Sequence, residues 1–112
     1  MTVVGEIVRA AIVGRKQLVA TYGGHVRELC PHAIGTKRGR PQALFFQFGG
    51  SSGRGLTQGG DWRCLPLDGL GDVSLRDGDW HTGAGAAQRQ TCLDVVELTV
   101  EEAGQPPART AS

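Results

Sequence analysis

The chain has 112 residues and a formal net charge of +1, which predicts one domain and excludes a polycation that binds nucleic acid through overall charge alone. Its 18 glycines favour turns and short strands over long helices. Aromatic residues make up only 5% of the chain, so aliphatic side chains must fill most of a small core.

The three cysteines are an odd number, and none stands in a CxxC pair. This pattern argues against a disulfide framework and for a reducing compartment. Glu6 and Arg9 interrupt the first apolar residues, so no signal peptide is expected. No stretch has the apolar length of a membrane span, and the expected location is the cytoplasm.

The spacing of apolar residues predicts one helix over residues 2–14. Val3, Ile7 and Ala11 recur at helical intervals, with Thr2 as a candidate N-cap and Gly14 as the end.

A β-hairpin is predicted next, with strands over residues 17–22 and 25–29. Gly23-Gly24 between them supplies the positive φ angles of a two-residue loop. Pro31 cannot donate to a sheet ladder, so the second strand is expected to end there or to lie at an edge. In this arrangement Tyr22 and Arg27 lie near each other across the ladder.

Further strands alternate with turns along the rest of the chain. The other predicted strands are residues 42–48, 61–67 and 71–76. Between them lie a basic turn (36–41) and a Gly/Ser-rich segment (49–60), which is expected to be either mobile or a binding loop. Residues 92–100 favour an acidic edge strand over a short helix, and residues 102–112 favour a disordered tail.

These elements predict a mainly β fold, a small, strongly bent barrel of five antiparallel strands with an N-terminal helix. The predicted organisation is a barrel domain over residues 1–82, a linker and extra strand over 83–101, and a tail over 102–112.

Several short motifs follow one another in order between residues 7 and 82. They are Ala11-Ile12 with Leu18, Tyr22, Arg27 followed by Pro31-His32 and Gly35, Leu44 with Gln47, Gly50-Ser51-Ser52-Gly53, and Trp62-Arg63. Their order and spacing resemble a stand-alone WYL domain. The Trp-Tyr-Leu that names this family falls at Gln42-Ala43-Leu44, so only the leucine matches.

The resemblance implies an Sm-like, SH3-type barrel of the kind found in bacterial transcription regulators and phage-defence systems. It implies a ligand-sensing module that binds single-stranded nucleic acid or a nucleotide-like anionic ligand, either as a homo-oligomer or beside a regulator partner. The family's ligand pocket maps onto Tyr22, Arg27 and Arg63, with looser matches at His32 and Gln47. A basic patch of Lys37, Arg38, Arg40 and Arg54 is expected to extend it.

Each of these residues also has a structural interpretation. Arg27 and Arg63 are equally explained as solvated strand residues or as ion-pair partners of Asp61 or Glu28, and Trp62 as a core residue. The basic patch is also explained as ordinary loop charge. The rival function is an interaction or oligomerisation domain that pairs strand to strand through residues 92–100.

No enzyme, cofactor or metal is expected from the residue patterns. Cys30, His32, Cys64 and His81 have metal-ligand chemistry but no ligand spacing. Buried structural thiols are the favoured interpretation of these cysteines.

Overall fold

Antiparallel strand pairing organises the computed structural model, which describes residues 3–51, 60–83 and 91–104. In chain order the elements are α1 (Val3–Gly14), β1 (Gln17–Tyr22), β2 (His25–Lys37), β3 (Arg40–Gly50), β4 (Asp61–Pro66), a 3-10 turn (Leu67–Gly69), β5 (Gly71–Arg76), β6 (Val95–Thr99) and α2 (Val100–Gly104). The described strands form one sheet in the order β4-β3-β2-β1-β5, with β6 paired to β2. The predicted mainly β, antiparallel fold with an N-terminal helix is confirmed, although the described sheet does not close, since β4 and β5 are not paired with each other.

Helix α1 packs one face against one side of the sheet, which we call the helix side. The predicted helix is confirmed, but the predicted apolar face is wrong in part, because the buried side chains are Val8, Ala11 and Ile12 while Val3 is 72% exposed. The helix ends through a left-handed residue at Arg15, where φ is 51°. The N–H groups of Arg15 and Lys16 then donate to the carbonyl oxygens of Ile12 and Ala11, which satisfies the last turn.

The β1–β2 hairpin is confirmed as predicted. Tyr22 and His25 pair directly across Gly23 and Gly24, whose φ angles are 61° and 80°. Two successive positive φ angles match the twist of the flanking strands, which is why two glycines serve here.

Strand β2 continues past Pro31, so the expected end of the strand is wrong, whereas the alternative, that Pro31 lies at an edge, is confirmed because neither β1 nor β6 pairs with it. One edge of β2 pairs with β3 along almost its whole length. The other edge pairs with β1 up to Leu29 and with β6 from Ala33 onward, so Pro31 falls in the gap between these two partners. A missing N–H therefore breaks no ladder with β1 or β6 at this position.

The core lies between α1 and the helix side of the sheet. Phe45, Leu18, Leu29 and Ile12 are fully buried there. A second, smaller cluster on the opposite side of the sheet packs Cys92 and Leu93 onto β2 and β3. Residues 91–93 thus cover a face that would otherwise expose Leu44.

Cys64 on β4 and Cys92 form a disulfide, so the expectation of three reduced cysteines is wrong for this pair. An odd number of cysteines does not exclude a disulfide here, because Cys30 is free and buried while the other two cysteines pair. The bond also removes the argument for a reducing compartment. Gln42 Nε2 donates to the Cys92 carbonyl oxygen at 2.7 Å and holds the same segment to β3.

The predicted edge strand is confirmed over Val95–Thr99 but is shorter than predicted, and the predicted tail is wrong at residues 102–104. Strand β6 spans Val95–Thr99 and pairs with β2 of the same chain, while Cys92 precedes it outside any strand. Residues 102–104 belong to α2 and not to a disordered tail. The Glu102 N–H donates to Thr99 Oγ1 at 3.1 Å and the Thr99 N–H donates to Glu102 Oε1 at 3.2 Å, which is a capping box. Across the described ranges, no helix has the length and apolar character needed to cross a bilayer.

Replacing Cys92 by Ser is expected to lower the free energy of unfolding by about 3–4 kcal/mol, because the bond closes a loop with a sequence separation of 28. Urea denaturation of both proteins, with and without reductant, measures the loss. Reductant should destabilise the native protein and leave the variant unchanged.

Thiol titration provides an independent check of the same bond. The denatured, unreduced protein should show one reactive thiol, and reduction should raise this to three. Three reactive thiols before reduction would contradict the disulfide.

Candidate functional site

Four of the five predicted ligand residues come together at one end of the helix side of the sheet. Tyr22 ends β1, Arg27 lies near the start of β2, and Gln47 and Arg63 lie on β3 and β4. A bulge in the β2–β3 ladder, between Glu28 and Leu29, brings Gln47 level with Leu29. We call Tyr22, Arg27, Gln47 and Arg63 the arginine cluster.

Gln47 is the centre of the arginine cluster. Its side chain is fully buried, and its Oε1 accepts from Arg27 Nη1 and from Arg63 Nε, each at 3.2 Å. Its Nε2 donates to the carbonyl oxygens of Gly49 at 2.9 Å and Ser51 at 3.1 Å. One amide therefore uses both its acceptor and its donor capacity to join two guanidinium groups to the end of β3 and to Ser51, which follows it.

Arg27 is held by the hairpin that precedes it. Its Nε and Nη2 both donate to the Tyr22 carbonyl oxygen at 3.2 Å, and its Cζ lies 5.3 Å from the centroid of the Tyr22 ring. Only 7% of the residue is exposed. The predicted proximity of Tyr22 and Arg27 is confirmed, and the aromatic ring adds a cation–π contact.

Two positive charges share this partly buried site. Desolvation, followed by the nearby charge of Arg63, lowers the pKa of the Arg27 guanidinium from its ordinary value, and Tyr22 acts in the opposite direction. Asp61 Oδ2 lies 3.6 Å from Arg63 Nη2, so the ion pair with Asp61 that the sequence allowed is present. Glu28 pairs instead with Arg76 at 3.3 Å. Among the described residues, the guanidinium groups of Arg27 and Arg63 therefore have one carboxylate beside them, that of Asp61.

His32 lies apart from the arginine cluster. It is 2% exposed, its Nδ1 donates to the Cys30 carbonyl oxygen at 2.8 Å, and its ring centroid lies 4.8 Å from that of Trp62 and 4.9 Å from that of Trp80. Consecutive strand residues point to opposite faces, so Trp62 and Arg63 leave β4 on different sides. His32 packs with the side that carries Trp62.

The predicted basic patch lies at the opposite end of β2. Lys37 Nζ is 3.2 Å from Asp94 Oδ1, and the Arg38 backbone N–H donates to Asp94 Oδ2 at 2.7 Å. These hydrogen bonds, led by the one from Arg38, lower the pKa of Asp94 from its ordinary value. Arg40 is exposed where β3 begins. Arg54 lies outside the described residues.

His25 and Ser51 flank the arginine cluster and were not predicted as site residues. His25 Nδ1 lies 3.3 Å from Ser51 Oγ, and the Ser51 N–H donates to the Val26 carbonyl oxygen at 2.9 Å. No local sequence pattern marks this contact, because it depends on the bulged register of β2 and β3.

The predicted burial of a structural thiol is confirmed at Cys30. Burial raises the pKa of the Cys30 thiol above its ordinary value, although the His81 N–H and the charge of Arg76 act in the opposite direction. This thiol is therefore kept neutral and unreactive at neutral pH. Within the described ranges, no three His, Cys, Asp or Glu side chains group as metal ligands would.

Comparisons with protein-family models, curated proteins and solved structures find no match to this chain. The resemblance to WYL domains therefore stays a prediction. The function has to be argued from the arginine cluster itself.

Replacing Gln47 by Leu is expected to lower the free energy of unfolding by about 3 kcal/mol, because buried donors and acceptors on both sides of the amide lose their partner. Gln17→Leu is a matched comparison, since Gln17 is also buried but links one arginine, Arg76, to one carbonyl, that of Asp79. Gln17→Leu should lower the free energy of unfolding by about half as much as Gln47→Leu. Equal effects in urea denaturation would contradict the linking role of Gln47.

Proposed function

We propose that this chain is a non-catalytic, ligand-sensing module that binds a phosphate-bearing anion, single-stranded nucleic acid or a nucleotide, at the arginine cluster. One observation carries the proposal: Arg27 and Arg63 converge on a single amide oxygen in a partly buried site with one carboxylate among the described residues. The two positive guanidinium groups repel each other, and a bound anion reduces this repulsion.

Guanidinium groups suit this ligand chemistry. A guanidinium is a planar fork of N–H donors that matches phosphate oxygens in pairs. Among the described residues, three of the five N–H donors of Arg27 have acceptors, which leaves donor capacity for a ligand. These three hydrogen bonds already hold the Arg27 side chain in place, so it loses less conformational entropy when a ligand binds.

The groups in the arginine cluster favour binding over catalysis. Guanidinium, amide and phenol groups bind anions, but none of them exchanges protons readily near neutral pH. A sensing role also agrees with the regulator-type function that the WYL resemblance implies.

The finer fold assignment, an Sm-like or SH3-type barrel, belongs to the same proposal. Five antiparallel strands in the order β4-β3-β2-β1-β5 and a helix packed on one side of them support it. In such a barrel β4 and β5 become neighbours, and the arginine cluster lies at one mouth.

A second candidate function is oligomerisation through β6. Val95 and Val96 are 58% and 50% exposed on this strand, and within the described ranges β6 pairs with β2 alone. An apolar, unpaired edge favours pairing with another strand. Measurement of the mass in solution tests this function separately from ligand binding.

Arg63→Gln is expected to weaken binding of a short, labelled single-stranded oligonucleotide by about tenfold or more, the usual cost of losing a charged hydrogen-bond donor. Fluorescence anisotropy titrations at low and moderate salt measure the affinity. Native binding should weaken with salt, because bound phosphates release counterions. Arg63 is preferred to Arg27 for this test because Arg27 also holds the hairpin.

Arg15→Gln is the matched control, since it removes the same charge from an exposed residue at the end of α1. Its effect should be small. Equal weakening in both variants would show that only overall charge matters. A native protein that binds neither the oligonucleotide nor ATP at low salt would contradict the proposal.

A further inference from the structure

A cavity of about 350 Å³ lies between α1, the second half of β2 and β6. The residues that line it include Gly5 and Arg9 of α1, Ile34 of β2, Leu67 of the 3-10 turn and Glu97 of β6. An adjoining recess of about 170 Å³ shares Leu67 and continues under α1 toward Val4. The volume of the main cavity, about 350 Å³, falls within the range of cavities that hold small ligands.

The cavity is mostly apolar, with one ion pair in its wall. Ile34 and Leu67 belong to the main core and supply apolar surface. Arg9 Nη2 donates to Glu97 Oε1, and the two side chains are 30% and 39% exposed. The wall is therefore close to neutral in charge, and the pair is exposed enough to rearrange at little cost.

The Arg9 guanidinium carries an unused donor. Its Nε is buried and has no hydrogen-bond partner among the described residues. A buried donor without an acceptor is unfavourable, so a small rotation that brings it to an acceptor in the cavity is favourable.

We propose that this cavity binds a small, uncharged, largely apolar molecule whose carbonyl oxygen accepts a hydrogen bond from Arg9. The carboxylate of Glu97 disfavours a second carboxylate beside it, and Arg9 disfavours an ammonium group. A neutral carbonyl compound meets neither repulsion, and its apolar part covers Ile34 and Leu67.

This site is separate from the arginine cluster. Arg27 lies near the start of β2, whereas Ile34 lies near its end, and no lining residue of the cavity belongs to the cluster. The proposal therefore goes beyond the proposed function and does not depend on it.

The test is an NMR titration of the ¹⁵N-labelled protein with three probes of similar shape: benzamide, benzoate and benzylamine. Benzamide should shift the Arg9 Nε–H signal and the amide signal of Gly5, with saturation in the millimolar range. Benzoate and benzylamine should bind more weakly. Absence of saturable shifts with benzamide, or equal binding of the charged probes, would overturn the proposal.

Two variants assign the interaction to its groups. Arg9→Met should weaken benzamide binding by about tenfold, as expected for one hydrogen bond from a charged donor. Arg15→Met, the same change at an exposed position, should have no effect. Glu97→Gln removes the repelling carboxylate, so benzoate should then bind at least as tightly as benzamide.

The selectivity change in Glu97→Gln keeps the proposal testable if Arg9→Met fails to fold. Unaltered preference for benzamide in Glu97→Gln would contradict the stated role of charge. Unchanged benzamide affinity in folded Arg9→Met would contradict the role of Arg9.

Discussion

The structure depends on one long strand whose two edges are used differently. One edge of β2 pairs with β3 for nearly its whole length, while the other edge pairs first with β1 and then with β6. Pro31 stands where the partner changes, at a point where neither β1 nor β6 needs an N–H. A single strand thereby carries the arginine cluster near its start and the apolar cavity near its end.

Burial explains why Gln47 is central to the arginine cluster. The helix side of the sheet is apolar around Leu29 and Phe45 and becomes polar at Arg27 and Gln47. Charged groups removed from water need hydrogen-bond partners, and a neutral amide with both donor and acceptor capacity supplies them without cancelling the positive charge. The cluster stays cationic for this reason, and a cationic, preformed site is suited to an anion.

Local patterns predicted the local structure well. Apolar spacing predicts α1 as a helix, although the side chains that it buries are Val8, Ala11 and Ile12 and not Val3. Gly23-Gly24 defines the first hairpin. The proximity of Tyr22 and Arg27 follows from that hairpin alone. The capping box at Thr99 and Glu102 is also a local pattern, but the valines beside it favour a strand over the same residues.

Features that depend on distant partners were not predictable from such patterns. The continuation of β2 past Pro31 depends on where β1 stops and β6 begins. The disulfide depends on residues 91–93 folding back over β4, which no spacing of cysteines reveals. The linking role of Gln47 depends on a bulge that sets its register against β2.

If Arg27 and Arg63 form a preorganised anion site, phosphate should stabilise the folded protein by binding there. Thermal unfolding in sodium phosphate and in sodium chloride, at matched ionic strength and pH, tests it most directly for the native protein and for Arg63→Gln. Phosphate bound to the folded state adds to stability by mass action, and a gain of about 1 kcal/mol raises the Tm by about 4 °C in a chain of this size. A preformed anion site predicts that phosphate raises the Tm of the native protein more than that of Arg63→Gln. An equal gain in both would reflect only the general effect of phosphate on protein surfaces and would contradict the claim.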